Sequence, residues 1–324
     1  MLEGRNKESA STLGWRPDWF GLPDNAWGVE LTSAIKQFQR EWCLVDDGFC
    51  GSMTFLRLLL FHETDICEDQ PVQQDIFPDE LEQEPSEHIL VGGERVPIKW
   101  ATVLTPDEPG ALKLTKGFSK RKRTGKGVVV HWPVTYSPQA TIKVLNSRKV
   151  GTHFEIGPPI GEDAVVTIYQ YCDVSYRAYH AVKCNDFVGV DISSPVYAKS
   201  SVLNRLKKLG HSDRPTLAGY KINGWTAPDI VGYHENQLKA LYALLAALHT
   251  HAGIVLEAPA YTGDPKNIKR APTWAFIKDN PGVYHHAEVD LPRRRKDGKL
   301  RASGKWDTAG VDLKLACEEA KTLI

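Results

Sequence analysis

Apolar positions at helical spacing recur near the start of the chain. They predict a helix over residues 32–42, with Thr32 or Ser33 as its N-cap. Its apolar face consists of Ile35, Phe38 and Trp42. A second apolar stripe predicts another helix over residues 52–61. We therefore expect residues 1–62 to form a small all-α, three-helix domain.

From about residue 96 the pattern changes to short apolar runs that alternate with longer helical stripes. The runs predict strands at 127–131, 151–156, 165–171 and 187–192, and the stripes predict helices at 141–147, 235–253 and 311–323. In the longest helix the buried stripe is predicted to be Leu238, Leu241, Tyr242, Leu245 and Leu248, with Gly253 ending the helix. This alternation predicts an α/β domain over residues 96–324, with a central mixed sheet flanked by helices.

The intervening segment, residues 63–95, shows neither the apolar spacing of a helix nor that of a strand. It contains eleven acidic residues between Glu63 and Glu94, no lysine or arginine in that span, and several prolines. Such a composition buries too little apolar surface to fold alone, so we interpret the segment as a solvated linker between the two domains.

Charge, apolar stretches and cysteine spacing limit the classes of function that the chain could have. Forty basic and forty acidic residues balance to a formal net charge of zero, which favours neither nucleic-acid binding nor attachment to a membrane surface. The longest apolar stretch is far shorter than a membrane span, so we expect no membrane insertion. The six cysteines contain no CxxC pair, and the polar start of the chain shows no apolar signal-peptide core. We expect a monomer made in the cytosol.

Histidines and a carboxylate, one of the histidines at a predicted strand end, are the candidate metal ligands. His131 closes an apolar run, His285 and His286 are adjacent, and Asp307 follows them. A catalytic zinc site uses three protein ligands and keeps one position open. Two distant histidines and one carboxylate would supply that set. Both members of the pair 285–286 are candidates.

Five segments in order resemble the type-2 N-acetylmuramoyl-L-alanine amidases, the group that includes phage lysozyme-type amidases and animal peptidoglycan recognition proteins. The similar segments are Val128–His131, Gly151–Ile156, Ile168–Tyr171 with Ala178–Ala181, Asn185–Ile192, and His286–Val289 with Lys305–Asp307. The resemblance covers roughly residues 96–324. It implies Zn²⁺ as cofactor and hydrolysis of the bond between N-acetylmuramic acid and L-alanine in bacterial peptidoglycan.

The resemblance also implies a role for each matched residue. His131, His286 and Asp307 would be the zinc ligands, and Lys305 would stabilise the negative charge of the tetrahedral intermediate. Asp191 stands where some members carry a catalytic glutamate. His180 and Asn185 would contact the substrate. The basic run Arg293–Arg301 is an inserted hairpin or loop relative to the family.

The N-terminal segment resembles the small peptidoglycan-binding domain of cell-wall hydrolases, through the run Ala34–Gln39, then Asp46–Gly48, then Gly51–Thr54. Both resemblances point to the bacterial cell wall, and the lack of a visible signal peptide leads us to expect a phage endolysin, held in the host cytoplasm until its release to the wall. Two other functions stay open: a non-catalytic peptidoglycan-recognition protein, and a zinc peptidase that cuts the stem peptide.

Overall fold

The computed structural model of the 324-residue chain divides into two units, Met1–Glu82 and Gln83–Ile324. It describes residues 2–41, 46–51, 54–55, 58, 87–133, 135, 138–160, 165–195, 197–208, 214–294, 300–301, 305 and 307–324. Trp42, most of the predicted helix 52–61, and the predicted linker up to residue 86 lie outside these residues. Among the described helices, none is both long and apolar enough to cross a membrane.

The first unit is helical, as the sequence predicts. It contains α1 (Leu2–Leu13), a 3₁₀ turn (Pro17–Phe20) and α2 (Val29–Glu41). Trp15 is buried between Phe20 and Trp27, with ring centroids 5.7 and 5.8 Å away. The predicted N-cap of α2 is wrong. The helix begins at Val29, and the hydroxyl of Thr32 instead donates to the carbonyl of Gly28 within the helix at 3.3 Å.

A six-stranded mixed sheet forms the centre of the second unit, which confirms the predicted α/β fold class. Its strands are β3 (Thr102–Leu104), β5 (Val128–His131), β6 (Phe154–Ile160), β7 (Val165–Gln170), β9 (Val188–Ile192) and β15 (Val283–His285). The order across the sheet is β15-β5-β9-β6-β7-β3. Only the β6–β7 pair is antiparallel. Parallel neighbours place the carboxyl ends of β15, β5, β9 and β6 at one edge.

The other elements lie around this sheet. The helices are α3 (Pro138–Arg148), α4 (Ser200–Lys208), α5 (Glu235–Ala252), α6 (Trp274–Asp279), α7 (His286–Val289) and α8 (Leu313–Thr322). The short strands are β1 (His88–Val91), β2 (Glu94–Pro97), β4 (Phe118–Ser119), β8 (Arg177–Ala178), β10 (Thr216–Leu217), β11 (Lys221–Ile222), β12 (Trp225–Thr226), β13 (Ile230–Val231), β14 (Asn267–Ile268), β16 (Arg293–Arg294) and β17 (Leu300–Arg301). β16 and β17 pair antiparallel, so the basic insertion is a hairpin.

Helix α5 covers one face of the sheet and packs against β6, β7 and α8. Leu241, Leu245 and Leu248 are buried as predicted, whereas Leu238 and Tyr242 are half-buried. Alanines on both sides of the leucine stripe are also buried, because the helix is covered by the sheet and by α8 together. Gly253 ends the helix in the left-handed conformation, at φ 66°.

A two-stranded hairpin, β1–β2, belongs to the second unit although the sequence assigns residues 88–95 to the linker. The side-chain amide of Gln170 bonds to both the backbone N–H and the carbonyl of Leu90, each at 2.8 Å. Ile89 is fully buried in the main core. The folded elements that the structure describes in this unit therefore begin several residues before the predicted boundary at 96.

Candidate metal centre

Three side chains meet at the carboxyl edge of β5 and β15. His131 is the last residue of β5, His286 follows the end of β15, and Asp307 lies in the turn before α8. The turn is fixed to α7, since the Ala287 N–H donates to the Asp307 carbonyl at 2.7 Å. The Thr308 hydroxyl also donates to the Val130 carbonyl, at 3.3 Å.

The ligand atoms of these residues form a compact triangle. Nδ1 of His286 lies 2.9 Å from Nδ1 of His131 and 2.8 Å from Oδ2 of Asp307, and the His131–Asp307 side is 3.6 Å. Two atoms that each lie ~2.0–2.1 Å from a tetrahedral Zn²⁺ are ~3.3 Å apart. Two imidazoles and one carboxylate are also zinc's usual donors. The residues present therefore fit a zinc ion.

A chain of hydrogen bonds fixes the tautomer of His131. Nε2 of His180 lies 3.0 Å from the Phe187 carbonyl, which can only accept, so that nitrogen carries the proton. Nδ1 of His180 must then accept from Nε2 of His131, 2.9 Å away. This leaves Nδ1 of His131, the nitrogen that faces Asp307, with a free lone pair. Hydrogen bonds of this kind commonly orient metal-ligating histidines.

Burial and charge favour the protonation states that ligands need. Burial, with the nearby charge of His286, lowers the pKa of His131 to about 4, although Asp307 opposes the shift. Burial alone would raise the pKa of Asp307, but the charge of His286, the contacts with both histidines and the charge of Lys305 lower it well below its usual range. A neutral imidazole and an ionised carboxylate both have lone pairs available for a cation.

The adjacent histidine, His285, has a different environment. Its Nδ1 lies 3.0 Å from the Thr308 hydroxyl, and its backbone N–H donates to the Glu288 carboxylate at 2.8 Å. Its side chain is thus engaged by the turn, while that of His286 reaches His131 and Asp307. Of the two histidines that the sequence leaves open, the structure brings His286 into the triangle.

Asp191 and Lys305 are both close enough to influence the triangle electrostatically. Asp191 on β9 is the Cα partner of His131 on β5, so the two buried side chains point to the same face. Burial raises the pKa of Asp191 well above its usual value, as do the charges of Glu155 and Asp307, while Lys305 lowers it. Lys305 is exposed, and its backbone N–H donates to the carboxylate of Asp290 at 2.9 Å.

The two residues assigned to substrate contact differ in position. His180 is half-buried and bonds to His131, so it supports a ligand. A Cβ on Gly189 would lie 2.9 Å from the ring carbon Cγ of His180, so the close approach of that ring requires glycine there. Asn185 precedes the amino end of β9, and no contact joins it to the triangle among the described residues.

Sequence reasoning missed one buried group near this centre. Glu155 on β6 has no exposed surface and is the Cα partner of Asp191. A glutamate inside the otherwise apolar run Phe154–Ile156 is the signal that could have identified it. His153, by contrast, has ordinary structural bonds: it accepts from the Gly189 N–H at 3.0 Å and donates to the Tyr176 carbonyl at 2.9 Å.

The chain matches no protein-family model and no curated protein sequence. Two solved structures are similar to parts of it. One is AmpDh3 from Pseudomonas aeruginosa in complex with anhydromuramic pentapeptide, at 15% identity and TM-score 0.34, over 67% of this chain and 66% of that one. The other is the N-acetylmuramyl-L-alanine amidase AmiD from E. coli with its anhydro-muropeptide substrate, at 14% identity and TM-score 0.28, over 52% and 54%. The chain thus spans less than two thirds of either protein.

Proposed function

We propose that this protein is a zinc-dependent N-acetylmuramoyl-L-alanine amidase, which hydrolyses the amide bond between N-acetylmuramic acid and L-alanine in peptidoglycan. The observation that carries the proposal is the triangle of His131, His286 and Asp307, with its ligand atoms 2.8–3.6 Å apart. These are the three positions at which the sequence resembles the ligand motifs of that family. The residues that match the family's ligand motifs in sequence are therefore also adjacent in the fold.

When bound, zinc would lower the pKa of a coordinated water from ~15.7 to about 7 and polarise the scissile carbonyl. Asp191 lies next to His131 in the sheet register and acts as the proton acceptor for the attacking water. Its raised pKa suits a group that then returns the proton to the leaving amine. Lys305 supplies positive charge for the developing oxyanion. His180 keeps His131 in the tautomer that ligates.

Two alternative functions are compatible with the same fold. A non-catalytic peptidoglycan-recognition protein would not need a complete set of three metal ligands, whereas this chain has all three. A zinc peptidase acting on the stem peptide would use the same metal and differ only in the bond cleaved. The products distinguish these functions, because only the amidase releases stem peptides that begin with a free L-alanine amino group.

The biological setting belongs to the same proposal. The first unit would bind peptidoglycan, and the whole chain would act as a phage endolysin that stays in the host cytoplasm until a membrane pore releases it to the wall. Support comes from the resemblance of residues 13–62 to wall-binding domains. Tethering the catalytic unit to its polymer would raise the local enzyme concentration there.

The test combines metal analysis with digestion of purified peptidoglycan. We expect one Zn²⁺ per chain and free L-alanine amino termini on the released stem peptides. His286→Ala should lose both zinc and activity. His285→Ala, the matched control, should keep the zinc because its side chain bonds to Thr308 rather than to the triangle. A metal-free protein, or products that begin at another residue, would refute the proposal.

A further inference from the structure

A cavity lies at the end of the sheet opposite to the metal centre. The segments that precede β5, β9 and β15 all border it, so it faces the amino ends of these parallel strands. Its volume is about 520 Å³, a size typical of sites for small molecules. We call it the basic cavity, and the charged and aromatic residues that line it are Lys126, Lys183, Asp186, Phe187, Trp274 and Lys278.

One wall of the basic cavity is apolar and closely packed. The Phe187 ring lies against the chain that leads into β5, where Cβ atoms on Gly125 and Gly127 would come within 2.7 and 2.4 Å of it. Only glycine therefore fits at these two positions. Ile277 of α6 is buried in the same apolar cluster as Phe187. This packing fixes α6, and the side chains that it carries, beside the cavity.

The remaining lining is dominated by positive charge. Lys126, Lys183 and Lys278 come from three separate segments, and all three are exposed. The carboxylate of Asp186 is already paired, since Nε of Arg177 lies 2.8 Å from its Oδ1. Among the described residues, none of the three lysines forms an ion pair with a carboxylate. Three lysines against one aspartate give the lining a formal excess of two positive charges.

The backbone at Lys183 has a conformation that disfavours lysine. It is the third residue of the turn Ala181–Cys184, which is closed by a 2.9 Å hydrogen bond from the Cys184 N–H to the Ala181 carbonyl, and its φ is 64°. Turns favour glycine or asparagine at such positions, because a larger side chain is strained there. The strain is therefore not explained by the needs of the turn itself.

An aromatic ring orients the Lys183 side chain. Its ammonium nitrogen lies 5.0 Å from the ring centroid of Trp274, within the range of a cation–π contact. Lys278 follows Trp274 by one helical turn on α6, so both side chains lie on one face of that helix. The contact thus holds the Lys183 ammonium at the same cavity that Lys278 lines.

A phosphate group matches this arrangement of charges. A phosphate monoester carries about −1.5 to −2 charges and three acceptor oxygens. It can neutralise the excess positive charge and accept hydrogen bonds from ammonium groups that approach from different directions. A carboxylate has one charge and two oxygens. Lysine is a common phosphate ligand because it acts as a point charge.

We propose that the basic cavity binds a phosphate-bearing ligand, which Lys126, Lys183 and Lys278 contact and for which Trp274 positions Lys183. The proposal does not depend on the amidase function, because the cavity and the metal centre lie at opposite ends of the sheet. The phosphate group reaches the cavity either on a small compound or on a polymer. Lys120, Arg121 and Lys122 are exposed in the loop just before the cavity, where only a polymer would extend.

The first test is isothermal titration calorimetry of the full chain with pyrophosphate at low ionic strength, where charges are little screened. Lys183→Gly removes an ammonium group and relieves the positive φ. Its Tm should therefore not fall, while the Kd for pyrophosphate rises by about tenfold or more. Lys183→Arg keeps the charge and should stay within about threefold of wild type. Trp274→Leu should raise the Kd several-fold, and Trp274→Phe, which keeps an aromatic face, should restore it.

The matched control is Lys149→Gly, the same substitution at another exposed lysine of positive φ, 56°, that does not line the cavity. It should keep both Tm and Kd. Equal weakening in the two glycine variants would mean diffuse surface attraction and would overturn the proposal. So would a wild type that does not bind pyrophosphate, or an unchanged Kd in Lys183→Gly, because phosphate at the metal centre would not respond to that substitution. Should Lys183→Gly not fold, Lys278→Gln decides, with the same expected rise in Kd.

The second test repeats the titration with poly(glycerol phosphate) and adds a variant that combines Lys120→Ala, Arg121→Ala and Lys122→Ala. If the natural ligand is a polymer, the polymer binds wild type more tightly than pyrophosphate does, and the triple variant weakens the polymer alone. If it is a small compound, the triple variant changes neither Kd. Both results support a phosphate site when Lys183→Gly weakens binding. A polymer that responds to the triple variant and not to Lys183→Gly would overturn the cavity as its site.

Discussion

His180→Leu is the substitution that best separates ligand support from substrate contact. It deletes the acceptor of the 2.9 Å bond from Nε2 of His131 while keeping an apolar side chain over Gly189. Without that bond, His131 samples both tautomers and ring orientations, and only one of them directs a lone pair toward Asp307. Outer hydrogen-bond partners of this kind are worth about 10–100-fold in metal affinity. At ~1.4 kcal/mol per factor of ten, the expected loss is ~1.4–2.8 kcal/mol of zinc-binding free energy.

The assay is competition for zinc with a chromophoric chelator at pH 7.5, using wild type and variant. His153→Leu is the matched control. It removes another buried histidine, whose ring centroid lies 6.3 Å from that of His180 and whose ring, among the described residues, bonds to the backbone of Tyr176 and Gly189. We expect it to lower Tm and leave zinc affinity unchanged. Thermal unfolding with a chelator present measures the folding cost of each substitution separately.

Unchanged zinc affinity in folded His180→Leu would refute the tautomer argument. If zinc affinity equals that of wild type and KM is raised, His180 contacts the substrate, as the sequence suggests. A loss of affinity equal to that of His153→Leu would mean that general loosening of the fold, and not the bond to His131, controls the metal.

Three further predictions concern the catalytic groups and the domain boundary. Lys305→Ala should keep zinc and fold yet slow turnover by about a hundredfold, because its exposed ammonium contributes charge rather than packing; lost zinc or an unchanged rate would contradict this. Asp191→Asn should lower kcat with little change in KM, as measured on soluble muropeptide; a wild-type rate would exclude it as the base. A protein of residues 87–324 should fold and bind zinc, whereas residues 96–324 should be less stable by at least about 2–3 kcal/mol, since the burial of Ile89 is lost. Equal denaturation midpoints would show that the β1–β2 hairpin contributes nothing.

The sequence predicts the elements whose apolar pattern is long or sharply bounded. Helix α5 and strands β5, β7 and β9 fall within a few residues of their predicted limits. Helix α1 was missed because its sequence carries only a weak apolar stripe, and its polar Asn6 and Ser9 are buried instead by bonds to the backbone of residues 48–50. The three-residue strand β15 is too short for its period to be recognised, and it becomes a strand because it pairs with β5.

The three predicted ligands could be found from types and order, but the groups around them could not. The choice of His286 over His285 depends on which neighbour the chain turns toward the triangle, and spacing alone does not determine that. The bond from His131 to His180 joins residues separated by 49 positions, and it requires the ring to lie against Gly189. No local pattern encodes such a contact.

Strand register explains why the buried acids Asp191 and Glu155 lie next to the metal centre. Residues 131, 191 and 155 are far apart in sequence, yet pairing of three strands sets their side chains in one row. A slip of one residue in β9 would turn Asp191 to the face covered by α5. That slip is opposed from both sides of the sheet: Val188, Val190 and Ile192 fill the core under α5, while Gly189 leaves room for His180 on the other face. The alternation that buries the core of β9 is therefore the same alternation that places an acid beside His131.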